Sequence, residues 1–235
     1  MRKLFIYMVI VFSSIGCEVI QESDRLIPFE RETSGTRKHV LIEFTGFRCV
    51  NCPTAAEQAQ SLQEQYGEEL VVVSMHPASN PFTQGKYDYT CPAADSIYRL
   101  MGGDASTPFP TGNINMTKYK DSYFIDPSEW ATALFQAIKD SVNTTPLSSA
   151  TISYWLIEDS VKGVQAMPDN TVNMEYYHRH VLRTIAQEEH FEIQSGWDST
   201  HLSVLKILSD PNDNHILQAY EKKMDFSSTM SAGNE

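Results

Sequence analysis

Cysteine is scarce in this 235-residue chain, standing only at Cys17, Cys49, Cys52 and Cys91. That excludes the small secreted scaffolds in which dense disulfides replace a core. Only one CxxC is present, and a zinc site built on it would need two more ligands. Basic residues are in deficit, 18 Lys+Arg against 30 Asp+Glu, for a formal charge of −12. Such a surface repels nucleic acid and anionic lipid. No apolar run reaches the roughly 20 residues that a membrane-spanning helix needs. Internal repeats and low-complexity tracts are absent too. What the chain does have is 41% hydrophobic residues, with 11 Phe and 11 Tyr, enough to build a real core in one or two domains.

The most informative stretch is Cys49-Val50-Asn51-Cys52-Pro53. It follows an apolar run, Val40 to Phe44, and opens a helix-like segment, Pro53 to Tyr66. A strand feeding a CxxC at a helix start is the thioredoxin arrangement. There the first cysteine is expected to face solvent at a helix N-terminus, where free N–H groups and the helix dipole favour a thiolate. Cys49 is thus the candidate nucleophile and Cys52 the resolving thiol. Glu43, six residues before Cys49, has the spacing of the carboxylate that thioredoxins bury to shuttle a proton to the second cysteine. Strand alternation leaves a second placement for Glu43, facing water. Pro53 suits a first helical turn, where its missing N–H costs nothing. Phe109-Pro110-Thr111 resembles the cis-proline loop that packs against the CxxC in that fold, an ordinary trans turn being the alternative. Arg48 stands where thioredoxins usually carry a tryptophan.

The N-terminus predicts a compartment. Arg2-Lys3 form a basic segment, Leu4 to Phe12 an apolar one, and Ser13 to Cys17 a small-residue cleavage site ending in cysteine, the pattern of a bacterial lipoprotein signal. Residues 1–16 are expected to be removed and Cys17 lipidated, with 17–38 as a polar tether. A plain secretory signal with an incidental Cys17 is the alternative. Without Arg2 and Lys3 the 18 basic residues become 16, and the charge becomes −14.

From Val40 to Val142, strand and helix signals alternate, which predicts a mostly parallel sheet with covering helices. Leu70 to Met75 suits a strand buried on both faces. Pro77 to Thr90 reads as an inserted loop, and a short helix is expected from about Ala93 to Met101. Asp126-Pro127-Ser128-Glu129 has the spacing of a helix cap, with the helix running to about Val142. From Pro146 the texture changes. Ala150 to Ile157, Asn170 to Tyr177, Val181 to Ile185, His201 to Leu208 and His215 to Met224 are short strand-like runs, and strands without intervening helices suggest a β-sandwich. The expected fold class is therefore an α/β thioredoxin-like domain, 39–145, followed by an all-β sandwich-like domain, 146–230, and a tail, 231–235.

Across most of its length the chain resembles the 28-kilodalton outer-membrane lipoproteins of Gram-negative bacteria. The resemblance rests on Val40 to Pro53, Phe109-Pro110-Thr111-Gly112 and His178-Arg179-His180-Val181-Leu182-Arg183. It implies a lipid-anchored cell-envelope protein with a thioredoxin-like domain and a C-terminal β-domain, and supports architecture better than activity. Cys91 in the inserted loop and the long Gln187 to Thr200 linker depart from it.

Other candidates are weaker. Cys91, beside Pro92, is either a buried inert thiol or a second helix-start thiol able to exchange with the CxxC. His76 leaves the C-terminal end of the Leu70 strand, on the edge where ligands bind. His178 and His180 would project from one strand face and could hold a metal with Glu175, although two imidazoles are too few for a zinc site. Two function classes follow. One is a thiol–disulfide oxidoreductase acting on envelope or extracellular proteins through Cys49, Cys52, Glu43 and Pro110, with no cofactor. The other is a non-catalytic adhesion or assembly module whose CxxC is a structural disulfide.

Overall fold

A computed structural model describes residues 37–87, 89–140 and 146–224. The expected signal segment, Cys17 and the C-terminal tail lie outside the described residues. Among those described, no helix is long and apolar enough to cross a membrane.

The chain folds as a mixed α/β structure around one large sheet. Strand β1 (His39–Phe44) leads into helix α1 (Cys52–Tyr66), which returns to β2 (Leu70–Met75). These two strands pair in parallel, from His39 with Leu70 to Phe44 with Met75. Both are buried along their whole length, as a central strand covered on both faces should be. After α2 (Pro92–Leu100), β3 (Thr111–Ile114) lies antiparallel on the other side of β1. Helix α3 (Trp130–Lys139) then packs against the sheet. It starts behind a 3-10 turn, Pro127–Glu129, whose N-cap Asp126 accepts from the Ser128 N–H. The sequence places one continuous helix there. Pro127 suits that first turn, and the 3-10 segment takes up the difference.

The second half departs from the expected sandwich. Its strands are β4 (Thr151–Glu158), β5 (Val161–Ala166), β6 (Val172–His178), β7 (Val181–Ala186), β8 (Leu202–Ser209) and β9 (Ile216–Lys223). Four of them extend the first sheet, giving the order β3-β1-β2-β7-β4-β8-β9, while β5 and β6 form a separate two-stranded ribbon. The junction is narrow: Ser74 of β2 pairs with Val181 of β7, and the Ser74 N–H donates to the His180 carbonyl at 2.8 Å. At the far end the Ile216 N–H donates to the Asn115 carbonyl at 2.7 Å, tying the start of β9 to the residue after β3. No second sheet is therefore needed: one face of these strands packs on the first half, and on the other Leu156, Leu202 and Val204 lie under Phe191, Ile193 and Trp197 of the segment after β7.

Strand alternation sorts the core. Val40, Ile42 and Phe44 of β1, with Val71, Val73 and Met75 of β2, face a cluster completed by Ala94 and Tyr98 of α2 and by Trp155, Leu182, Leu205 and Ile207 of the second half. This one cluster draws on both sides of the expected division near Thr145. Leu41 and Val72 face the other way, under Ala55, Ala59 and Leu62 of α1 and Trp130 and Leu134 of α3. The same alternation sends Glu43, Ser74 and His76 to the α1 side. The polar site begins there.

Candidate functional site

The link between β1 and α1 is held on three sides. The Thr45 N–H donates to the Met75 carbonyl at 3.0 Å, the Arg48 N–H to the Phe82 carbonyl at 3.0 Å, and the Ala166 N–H of β5 to the Phe47 carbonyl at 2.8 Å. Cys49 and Cys52 are joined as a disulfide with Cα atoms 5.4 Å apart, and Pro53 takes the first turn of α1. Asn51, the N-cap residue, makes no side-chain cap, so the helix end keeps its N–H groups for the loop.

Cys49 does not face solvent as its position predicts. It is 1% exposed, against 37% for Val50 beside it. The cause is β5, which lies over the loop. The Gln165 amide donates to the Cys49 carbonyl at 2.9 Å and to the Gly46 carbonyl at 3.4 Å. β5 itself sits close because Gly163 leaves room for Tyr89: a Cβ there would stand 1.8 Å from the Tyr89 hydroxyl, which accepts from the Val164 N–H at 2.8 Å. Strand β5 and Gln165 escaped the sequence reading. The turn Asp159-Ser160 before Val161 and the apolar residues Val161, Val164 and Ala166 were the available signal, blurred by Gly163 and a register shift between Gly163 and Gln165.

Behind the disulfide lies a small cavity lined by Glu43, Cys52, Ser74, His76, Tyr176 and His178, with Arg179 and His180 at its rim. Glu43 is buried, and the Ser74 hydroxyl donates to its Oε2 at 3.1 Å. Burial pushes its carboxyl up to about 7, and the Ser74 bond opposes this only in part. Of the two placements open to Glu43, the buried one is what forms. Burial also holds His76 well below the ordinary imidazole value, helped by His178 and Arg183. His178 falls to about 4 by burial, against the pull of the Val164 carbonyl near its Nε2. Tyr176 rises to about 12, first by burial and then by the nearby Glu43 charge.

Pro110 follows a cis peptide bond. Phe109 stacks on Phe82 with centroids 6.0 Å apart and meets Tyr98 edge-on at 5.9 Å. Phe82 is partly exposed and belongs to the loop between β2 and α2. Asn80, fully buried, anchors that loop by donating to the Tyr98 hydroxyl and the Thr107 carbonyl. Cys91 caps α2: it is buried, and its Sγ accepts from the Ala94 N–H at 3.4 Å.

The predicted metal trio does not assemble. His178 ends β6, whereas His180 lies in the following turn with a left-handed φ of 51°, so the two do not share a strand face. Glu175 points to solvent and pairs with Lys162. His178 instead packs between Tyr89 at 4.4 Å and Tyr176 at 4.9 Å, with His76 at 5.6 Å. A carboxylate–imidazole group at Asp210, Asp213 and His215 occupies the β8–β9 turn, away from the cysteines.

No family model matches the chain, and no curated protein matches it. Among solved structures, the chain is similar to HBP35 of Porphyromonas gingivalis, with a TM-score of 0.55 and 16% identity over 82% of this chain and 77% of that one. At that identity the likeness is one of fold. A structural-genomics protein of Agrobacterium tumefaciens gives a TM-score of 0.49 and 12% identity over 83% of this chain and 97% of its own.

Proposed function

We propose that this protein is a lipid-anchored cell-envelope thiol–disulfide oxidoreductase, with Cys49 and Cys52 as its redox pair in a thioredoxin-like half. The observation that carries the reading is the cavity shared by Cys52 and Glu43, a carboxyl held near neutrality. A group poised there can take and return a proton at working pH, as a resolving thiol requires. The β1-α1-β2 unit with antiparallel β3 supports the thioredoxin-like assignment. The lipoprotein pattern ending at Cys17 and the resemblance to the 28-kilodalton outer-membrane lipoproteins support the compartment.

In the reductive direction, the Cys49 thiolate attacks one sulfur of a substrate disulfide, forming the mixed disulfide and releasing the other substrate sulfur as thiolate. Cys52 then gives its proton to Glu43 and attacks Cys49 Sγ. The Cys49–Cys52 disulfide forms, the second substrate sulfur leaves as thiolate, and the substrate has gained the two electrons the pair has lost. A thiol reductant of the envelope restores the dithiol. Partly exposed Val50 and Phe82 border the pair and offer an apolar footing for an extended substrate segment. Cys49→Ser is expected to abolish exchange with a small protein disulfide, and Cys52→Ser to trap a mixed disulfide, both read by mass spectrometry. Absence of any trapped species would sink the reading.

A second reading has its own observation: both cysteines are 2% exposed or less. A disulfide sealed by β5 and Gln165 would serve as a staple, leaving a non-catalytic envelope module for adhesion or assembly.

A further inference from the structure

His76 is 2% exposed, and neither of its ring nitrogens has a hydrogen-bond partner among the described residues; the same holds for Glu43 Oε1. Unsatisfied polar atoms at such depth are costly and rare in native proteins. All three belong to residues lining the one cavity behind the disulfide. Its volume of about 30 Å³ is enough to admit water. The cavity is too small for an organic ligand, and Glu43 Oε1 and the two His76 nitrogens are the polar partners that water needs there.

We propose that this cavity is a water site in which bound water joins Glu43 Oε1 to the His76 ring, making His76 the second station of a proton path that starts at Cys52. The path rests on the oxidoreductase reading; the water link does not. Ser74 holds Glu43 Oε2, which leaves Oε1 for water. A neutral imidazole can accept a proton on one nitrogen and release one from the other, so His76 passes a proton without storing charge. Its depression by burial suits that use. His180 and the exposed Arg179 line the same cavity.

The groups around His76 come from every packed element. Glu43 belongs to β1 and Cys52 to α1. Tyr89 of the loop meets its ring at 5.6 Å, as does His178 of β6. Tyr176 lines the same cavity, and Arg183 of β7 acts on it by charge. Glu43 is the carboxylate among them, so a proton entering from His76 is delivered there.

The test is infrared titration of the Glu43 carboxyl band, assigned by its loss in Glu43→Gln, in the oxidised protein with wild type, His76→Gln and His76→Phe. The Phe ring fills the site without offering a partner. It is expected to raise the Glu43 midpoint by about one pH unit, whereas Gln, which can still hold water, leaves it within a few tenths. An unchanged midpoint in folded His76→Phe would overturn the link. If that variant does not fold, a crystal structure of wild type decides: ordered water bridging Glu43 Oε1 and His76 supports the site, and a dry cavity refutes it. In the kinetic arm, His76→Gln should slow resolution of a preformed mixed disulfide about tenfold, while Cys49 still reacts with a small disulfide at the wild-type rate. Normal resolution in His76→Gln would remove His76 from the path. A wild type that exchanges no disulfide would remove the oxidoreductase reading and with it the path, leaving the water link to the infrared result.

Discussion

The two faces of β1 and β2 differ at one end. Toward α2 both strands stay apolar to their last residues, Phe44 and Met75. Toward α1, Leu41, Leu70 and Val72 lie under Ala59 and Leu62, and the strands end in Glu43, Ser74 and His76 beside Cys52. Burying a carboxyl and an imidazole costs free energy that an apolar pair at those positions would not. The difference therefore separates residues that hold the fold together from buried polar groups that do not.

The largest effect should come from the apolar part. Trp130 of α3 is fully buried, and its Nε1–H donates to the Ile125 carbonyl at 3.0 Å. Trp130→Ala should cost about 3–5 kcal/mol in denaturant unfolding; a loss under 1 kcal/mol would mean that the α1–α3 face is not the packed core described. At the polar end the sign reverses. Glu43 titrates near 7 in the folded protein against 4.5 for an exposed glutamate. Between those values the folded protein binds a proton the unfolded chain has lost, so this group's contribution to stability falls as pH rises through the window. Glu43→Gln should then be more stable than wild type at pH 8 by on the order of 1–3 kcal/mol, the gap closing toward pH 4.5. Equal stability at both pH values would place the carboxyl in water. His76 and His178 act oppositely: with folded values below the 6.5 of a free imidazole, they cost stability as pH falls below 6.5.

Smaller effects sharpen the comparison at the lid. Gln165→Ala removes the amide that bonds the Cys49 and Gly46 carbonyls. It should cost about 1 kcal/mol and speed reduction of the disulfide by dithiothreitol, because β5 is what keeps Cys49 from solvent. An unchanged reduction rate would show that another segment does the shielding. Phe82→Ala should change stability least, by about 0.5 kcal/mol or less, while weakening exchange with protein disulfides more than with small ones.

Local signals in the sequence located β1, α1 and β2 closely, and β2 runs from Leu70 to Met75 as its apolar pattern predicts. Such strands announce themselves because both faces are buried. Of the residues the sequence singles out, Cys49 and Cys52 form a disulfide, Glu43 is buried and Pro110 follows a cis bond. The pairing of β2 with β7 was not legible. It rests on Ser74 and Val181, and nothing within Val181 to Ile185 says which strand it joins. The shielding of Cys49 also escaped notice, because Gln165 lies 116 residues from it on a strand interrupted by glycine. His76 could be placed at the correct strand end, but its isolation from hydrogen-bond partners depends on side chains contributed by β6.

The central claim is tested most directly by the reduction potential of the Cys49–Cys52 pair in the protein, equilibrated with glutathione and thioredoxin-type buffers, with Cys91→Ser as a control. A potential above about −270 mV is the predicted result, in the range of disulfides that exchange. A value below about −300 mV, with the pair resisting glutathione, would contradict it and leave a structural staple beneath β5.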